Sequence, residues 1–398
     1  MLLLHNTVQR YAWGSVDGLV PIVGSDPSGG PEAELWVGTH AAAPSLVADD
    51  PQGRTLAEVI AADPARWLGP ELAATGATSL PFLLKVLAIG CPLSLQAHPS
   101  AAEAEAGFAR EEAAGIAADA PERTYKDASP KPESLVALSE TWALCGFREP
   151  VEAAELLAGL DLAALAPIVD ALRSGTPDGH QRALAWLLHL EGGARSGLAG
   201  AIAEEVADAD ADVRADPRSW VKALAAQFPG DPLCVAPLLL HVVRLAPGDA
   251  VHLPAGNLHA YLSGAGVELM AASDNVLRGG LTPKHVDVEE LLHVLRFDPG
   301  VPPAPVHEDL GGGVATYDSG ESAYALATVD AGDAVVEIQP TGPSLLLATG
   351  GPVDVAGPDG GCSLAHGDAA FVAPGSGPLS VSGGGRLWWA TTGDALPT

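Results

Sequence analysis

The sequence predicts a mixed β plus α fold with two jelly-roll β-barrels, the first of them interrupted by a helical insertion. Two observations support this. The chain of 398 residues is strand-like at both ends and helix-like in the middle. In addition, residues 248–256 (GDAVHLPAG) are closely repeated by residues 367–375 (GDAAFVAPG). Each copy has a Gly-Asp turn, an apolar strand and a turn rich in Pro and Gly, as expected of a jelly roll.

These strand-like and helix-like regions predict three domains. They are a discontinuous first barrel (1–99 and 235–300), a helical insertion whose Lys-Pro-Glu loop contributes to the site (100–234), and a second barrel (301–398). The second barrel has no histidine matching His259 and no Gln-x-His pair, so we expect it to be metal-free.

The N-terminal 95 residues contain short apolar runs broken by Gly and Pro, which predict strands at 34–38 and 80–88. Ser100 then precedes a run rich in Ala and Glu that extends to about Ala118. Glu103 completes a capping-box pattern at the start of this helix.

Apolar residues spaced by three and four predict the remaining helices of the insertion. These helices cover 150–159, 162–174, 181–190, 198–214 and 219–228. The acidic segment 203–212 is interpreted as a solvated helix face. Strands return from residue 235, and a short helix is predicted over 286–295.

Composition excludes several function classes. Twenty basic against fifty acidic residues give a net charge of −30, which argues against nucleic acid and an anionic membrane as partners. A small anionic substrate stays compatible, because a few local cations act at short range. The chain has neither an apolar run of membrane length nor a secretory signal, and its four cysteines are scattered, so we expect a cytoplasmic protein.

Two segments carry candidate functional residues in the first half of the chain. Gln96 and His98 alternate along a strand, so both side chains would reach one metal ion from the same face; a polar strand end is the alternative. Lys131 lies between two prolines and is followed by Glu133, which suggests a rigid loop presenting both groups. A solvated turn is the alternative interpretation.

A third segment extends from Pro254 to Lys284. His259 and Tyr261 share one strand face in it, and Glu268 lies farther along the same segment. Arg278 precedes two glycines, an arrangement in which backbone and guanidinium together can approach a phosphate. The alternative is a surface arginine at a turn.

Six motifs, taken together in their order along the chain, resemble those of the type I mannose-6-phosphate isomerases (phosphomannose isomerases), a family of zinc-dependent cupin enzymes. They are YAWGS (11–15), PEAELWVGTH (31–40), FLLKVL (82–87), SLQAHP (94–99), KPE (131–133) and GGLTPK (279–284). The resemblance implies two cupin-type jelly-roll barrels. It also implies reversible isomerisation of mannose 6-phosphate and fructose 6-phosphate through a cis-enediol, in glycolysis or in GDP-mannose biosynthesis.

The same resemblance implies one zinc ion per chain, held by Gln96, His98, Glu133 and His259. Two imidazoles, a carboxylate and an amide oxygen suit zinc. It further implies a sugar-phosphate pocket in which Arg278 is closest to the proton transfer, Lys131 is a hydrogen-bond donor and Glu268 is a candidate base. The implied substrate-binding residues are Ser94, Lys85, Tyr261 and Lys284.

Two positions depart from the family pattern. Asn257-Leu258 replaces the usual pair before the ligand histidine, which should not affect ligation. Ser129-Pro130 stands where the family has Asn-His, and that histidine is a proposed participant in opening the sugar ring. Because proline cannot transfer a proton, either another group or water opens the sugar ring here, or the proposed role of that histidine is dispensable.

Three other functions are compatible with parts of the sequence. They are isomerisation of another sugar phosphate, non-catalytic binding of a sugar phosphate by a cupin, and oxygenation by an iron cupin. The sequence does not determine the oligomeric state, and a monomer is expected.

Overall fold

The computed structural model describes residues 1–24 and 26–396, which form two ten-stranded antiparallel sheets and a layer of helices. The first sheet contains β2 (Thr7–Gln9), β3 (Glu34–Val37), β5 (Phe82–Ile89), β6 (Gln96–Ala97), β7 (Glu133–Ala137), β8 (Thr141–Phe147), β9 (Leu240–Leu245), β10 (Ala250–Leu253), β11 (His259–Ala271) and β12 (Leu277–Arg278). The second contains β1 (Leu2–His5), β4 (Leu46–Val47), β13 (Val306–Gly311), β14 (Val314–Asp318), β15 (Ala325–Ile338), β16 (Ser344–Thr349), β17 (Val353–Gly357), β18 (Gly360–Leu364), β19 (Ala369–Val372) and β20 (Leu379–Thr391).

The α-helices are α1 (Val20–Val23), α2 (Leu56–Ala62), α3 (Pro64–Trp67), α4 (Pro70–Ala74), α5 (Ala101–Ala113), α6 (Pro150–Ala158), α7 (Ala166–Arg173), α8 (Gly179–Leu188), α9 (Gly192–Glu205), α10 (Pro217–Gln227), α11 (Ala236–Leu239) and α12 (Val288–Val294). Short 3-10 helices occupy Ala163–Leu165, Pro232–Val235 and Gly393–Ala395. In the described part of the chain, none of these helices is long and apolar enough to cross a bilayer.

The long strand β11 organises the first sheet, because it pairs with β5, β6, β7 and β8. Its register sets His259 opposite Gln96 and Glu268 opposite Lys85. On the other side of β6, Arg278 also lies opposite Gln96. Hydrogen bonding between backbones therefore brings together side chains that are up to 183 residues apart in sequence.

The two sheets share a hydrophobic core. Leu84 and Leu269 of the first sheet belong to the same buried cluster as Leu345, Phe371 and Trp388 of the second. The helices α6 to α11 contribute to a separate core, which they build against β8 and β11.

The repeated segments adopt the same local structure in the two sheets. Gly248 and Gly367 have φ angles of 93° and 90°, in the region that favours glycine. The carboxylates of Asp249 and Asp368 each accept a hydrogen bond from the backbone three residues earlier, at 2.8 and 2.9 Å. The Gly-Asp turn thus has the same role before β10 and before β19.

The observed pairing differs from the predicted division of the chain in two places. Strands β1 and β4 lie in the second sheet, where Leu2–Leu4 pair with Ala369–Phe371. Leu4 there is buried in the core that the two sheets share. Strands β7 and β8 fall within 100–234 but belong to the first sheet, so that range is not wholly helical.

Most predicted elements agree with the structure. Strands 34–38 and 80–88 are β3 and β5, and α5 begins with both hydrogen bonds of the Ser100–Glu103 capping box. The helix predicted over 198–214 is wrong in its bounds, because α9 ends at Glu205. Beyond that helix, Asp210 and Asp216 accept hydrogen bonds from backbone N–H groups two residues later, which favours turns over helix.

Candidate active site

Three buried side chains converge where β6, β7 and β11 meet. His98, Glu133 and His259 each offer a ligand atom, and these atoms lie within 4.8 Å of one another. His98 Nε2 is 3.4 Å and His259 Nε2 is 3.7 Å from Glu133 Oε2. The residues expose 0%, 2% and 1% of their surfaces, so water does not compensate their polar atoms.

The orientation of both imidazoles is fixed from behind. His98 Nδ1 lies 2.8 Å from the Asn275 carbonyl, and His259 Nδ1 lies 3.0 Å from the Asn257 carbonyl. Because a carbonyl oxygen only accepts, each Nδ1 carries the hydrogen and each Nε2 presents a lone pair. This is the arrangement in which histidine ligates metals.

The atoms that face the centre lack hydrogen-bond partners among residues 1–24 and 26–396. They are His98 Nε2, His259 Nε2 and Glu133 Oε2, all of which are buried. Buried polar atoms are rarely left unpaired in folded proteins, and three acceptors facing one point suit a cation. The residues therefore fit a bound metal ion such as zinc.

The charges around the centre favour the protonation states that ligation needs. Burial lowers the pKa of His98 to about 4, which keeps the imidazole neutral. Burial alone would raise the pKa of Glu133, but the positive charge of Lys131, at 2.8 Å, holds it well below its usual range. Glu133 is therefore an anion in the site.

The centre adjoins a cavity of about 620 Å³. Gln96 lines this cavity and is paired across the sheet with His259. All seven residues predicted to bind or transform the substrate also line it, namely Lys85, Ser94, Lys131, Tyr261, Glu268, Arg278 and Lys284.

One wall of the cavity carries a lysine between two carboxylates. Lys85 Nζ lies 3.1 Å from Glu268 and 3.9 Å from Glu34. Burial opposes the charge of Lys85, but the carboxylates of Glu34, Glu268 and Glu133 outweigh it and raise the lysine pKa. Lys85 is thus a cation.

The pKa of the neighbouring Glu268 is shifted in the opposite direction from that of Glu133. Burial raises the pKa of Glu268, Lys85 counteracts that effect, and the negative charges of Glu133 and Glu34 add to it. The phenol of Tyr261 is also buried here, and burial followed by the charge of Glu268 raises its pKa. Two carboxylates of one site therefore differ in proton affinity, as is typical of acid–base chemistry.

Arg278 and Lys284 form a cationic region at the cavity. Within the described residues, neither side chain has a salt-bridge partner, although the protein carries thirty more acidic than basic residues. Burial lowers the pKa of Arg278, and the charge of Arg278 lowers the pKa of Lys284. A phosphate group would relieve this repulsion through charge-assisted hydrogen bonds.

Several residues at the cavity were not identified from the sequence. Glu34 lies within the PEAELWVGTH motif (31–40) and accepts a hydrogen bond from Trp36 Nε1 at 2.5 Å. The sequence feature that could have identified it is a glutamate within an otherwise apolar strand. Gln227 and Phe228, at the end of α10, also line the cavity. No local pattern distinguishes them, because they reach the cavity only through the packing of the helical layer.

Comparison with known proteins gives a consistent result. The family model of phosphomannose isomerase type I, catalytic domain, matches residues 1–150. Mannose-6-phosphate isomerase of Escherichia coli is 36% identical over 395 residues, covering 97% of this chain and 98% of the relative.

The chain belongs to the type I mannose-6-phosphate isomerase family. The resemblance seen in the sequence motifs is thereby confirmed. A solved structure of mannose 6-phosphate isomerase described as the zinc-bound holo form matches with a TM-score of 0.90 and 33% identity, covering 98% of this chain and 99% of that one. A variant of phosphomannose isomerase from Salmonella typhimurium matches with a TM-score of 0.91 and 32% identity over 98% and 99% of the two chains.

These matches also bear on the fold and the metal. The mixed β plus α fold is confirmed along nearly the whole length of the chain. Zinc is present in the solved relative, and the His98, Glu133 and His259 group of this mannose-6-phosphate isomerase family member fits the same ion.

Proposed function

We propose that this protein interconverts mannose 6-phosphate and fructose 6-phosphate with one zinc ion per chain. The observation that carries the proposal is the buried centre of His98, Glu133 and His259 beside a cavity that contains a carboxylate of raised pKa and two cations without a salt-bridge partner among the described residues. An aldose–ketose isomerase needs these parts together, because it must hold a phosphate, stabilise charge on two sugar oxygens and move one proton.

The proposed zinc ligands are Gln96, His98, Glu133 and His259. When bound, zinc supplies Lewis-acid stabilisation of the negative charge that develops on the sugar oxygens.

Lys284 and Ser94, which line the cavity, are proposed to bind the substrate. Lys284 faces the cavity, and the nearby charge of Arg278 lowers its pKa, so an anionic group bound at Lys284 would relieve the repulsion between the two cations. Anchoring the phosphate far from the reacting carbons provides binding energy for orienting those carbons. Arg278 lies opposite Gln96 across β12 and β6, so we place it closest to the proton transfer.

Glu268 is the proposed base. It removes the proton from C2 of the open-chain aldose, the electrons of that bond form the C1–C2 double bond, and the carbonyl oxygen at C1 gains a proton to give the cis-enediol. Glu268 then returns the proton to C1, the electrons of the C1–C2 double bond form the new C–H bond, and the O2 hydroxyl loses its proton as the C2 carbonyl of the ketose forms. Lys85, 3.1 Å from Glu268, holds the base in place, and Lys131 donates a hydrogen bond to a sugar oxygen that gains charge.

A cytoplasmic location and a monomeric state are also proposed. All four cysteines are free thiols, and Cys145 and Cys234 are buried, which is compatible with a reducing compartment.

A coupled isomerase assay tests the proposed function. The purified protein should convert mannose 6-phosphate, lose that activity after exhaustive chelation and regain it when zinc is added. His259→Ala should not be rescued by zinc, because a buried ligand is missing, whereas His189→Ala, at an exposed position, should behave like the wild type. Full activity of the metal-free protein would contradict the proposal.

Arg278→Ala separates catalysis from metal binding. We expect kcat to fall about 100-fold or more, as is common when a preorganised donor to transition-state charge is removed, with the zinc content unchanged. Arg66→Ala, an exposed arginine outside the cavity, is the matched control. Wild-type turnover by Arg278→Ala would remove this residue from the mechanism.

The pH profile tests the role of Glu268. A base must be ionised, and the pKa of Glu268 is raised above the usual glutamate value of about 4.3. The rate should therefore fall as the pH decreases through this raised pKa. Glu268→Gln should be slow at every pH and lack this acidic limb. Glu34→Gln should keep the limb but move it to lower pH, because one charge that raises the pKa of Glu268 is removed. An unchanged acidic limb in Glu268→Gln would exclude this residue as the base.

A further inference from the structure

We propose that Asn275 is a positioning residue that couples the orientation of His98 to the loop carrying Lys131. This inference deepens the proposed zinc-dependent function and rests on it. Asn275 lies in the turn between β11 and β12, and its surface is 0% exposed. Its side chain does not line the cavity, so any contribution to the reaction must act through other residues.

The side-chain amide of Asn275 uses both its acceptor and its donors on one segment. Its Oδ1 accepts hydrogen bonds from the backbone N–H groups of Lys126 and Asp127, at 2.7 and 3.2 Å. Its Nδ2 donates to the carbonyls of Asp127 and Ser129, at 2.8 and 2.9 Å. Four bonds to the backbone of Lys126, Asp127 and Ser129 fix the chain immediately before Pro130 and Lys131.

The backbone carbonyl of Asn275 has a different task. It accepts the hydrogen bond from His98 Nδ1 at 2.8 Å and so directs His98 Nε2 towards Glu133. The same residue therefore connects a metal ligand to the loop that supplies Lys131 and Glu133. A displacement of this turn would move both sides of the site together.

The carboxylate of Asp127 reinforces the connection from the other side. Its Oδ1 accepts a hydrogen bond from Ser273 Oγ at 2.9 Å, and its Oδ2 accepts one from the Asp274 backbone N–H at 2.9 Å. The turn and the loop are thus tied by reciprocal hydrogen bonds. Such networks are worth more when complete than the separate bonds suggest.

His259 shows why His98 depends on a remote residue. The carbonyl that orients His259 belongs to Asn257, only two residues earlier, so the local backbone provides it. The carbonyl that orients His98 comes from 177 residues away in sequence. Within the described part of the chain, the side-chain amide of Asn257 takes part in one hydrogen bond, which its Oδ1 accepts from Cys145 Sγ at 3.4 Å, and it ties no loop to the site. Remote positioning is therefore specific to the His98 side of the centre.

The test measures zinc affinity and geometry directly. Zinc dissociation constants of the metal-free proteins are determined by competition with a chromogenic chelator, and the visible absorption of the cobalt(II)-substituted proteins reports ligand geometry. Asn275→Ala should raise the zinc Kd about 10- to 100-fold, the range for losing a group that orients a ligand, and should alter the cobalt spectrum. Asn6→Ala, which loses a 2.7 Å hydrogen bond to Ser45 outside the site, should change neither.

Asp127→Ala provides a second variant that leaves the buried amide in place, should Asn275→Ala fail to fold. It removes the bonds to Ser273 and Asp274, and we expect a smaller rise in zinc Kd in the same direction. A lower melting temperature of either folded variant, with a zinc Kd within about twofold of the wild type and an unchanged cobalt spectrum, would show a purely structural role and overturn the inference. Neither readout requires the sugar phosphate. A wild-type protein that binds zinc but does not isomerise the sugar phosphate would therefore count against the proposed function alone.

Discussion

The burial of the Glu133 carboxylate is the constraint on which the site depends. A carboxylate that exposes almost no surface must be compensated, and Lys131, 2.8 Å from Oε1, leaves the buried Oε2 without a hydrogen-bond partner among the described residues. The two imidazoles that face Glu133 do not complete the compensation, because their Nδ1 hydrogens are given to backbone carbonyls and their Nε2 atoms are acceptors. Three acceptors directed at one point leave a position that a divalent cation satisfies. The unpartnered acceptors of the centre thus fit the cofactor that the proposed reaction uses.

The fold supplies this arrangement through the register of one strand. Because β11 pairs with four neighbours, the hydrogen bonds that build the sheet also align His259 with Gln96 and Glu268 with Lys85. A slip of one residue would turn these side chains to the opposite face, so the apolar pattern that buries β11 also fixes the active site. The second sheet stabilises this geometry from behind through the shared core around Leu269, Phe371 and Trp388.

The sequence predicted those features that local pattern or motif order determines. Period-two spacing predicted one strand for Gln96 and His98, and the structure has Gln96 in β6 and His98 directly after it. The Ser100–Glu103 pair marked the start of α5, and the repeated Gly-Asp turns indicated two related sheets. The family resemblance brought together residues that no local rule connects, and the structure places its predicted pocket residues around one cavity.

What the sequence could not predict depends on long-range packing. The pairing of β1 with β19 joins segments more than 360 residues apart, and the contacts of Asn275 span about 150 residues on one side and 177 on the other. In the sequence, Glu34 is not distinguished from other polar residues in strands, because its role depends on the contact with Lys85 that sheet pairing creates. The Asp-rich segment after Glu205 formed turns because its carboxylates bind their own backbone, a competition that helix periodicity does not report.

Anomalous diffraction at the zinc absorption edge, from crystals of the zinc-loaded protein, tests the central claim most directly. The account predicts one strong peak per chain, about 2.0–2.2 Å from His98 Nε2, His259 Nε2 and a carboxylate oxygen of Glu133. A protein that binds zinc stoichiometrically but shows its peak away from these three atoms would contradict the account.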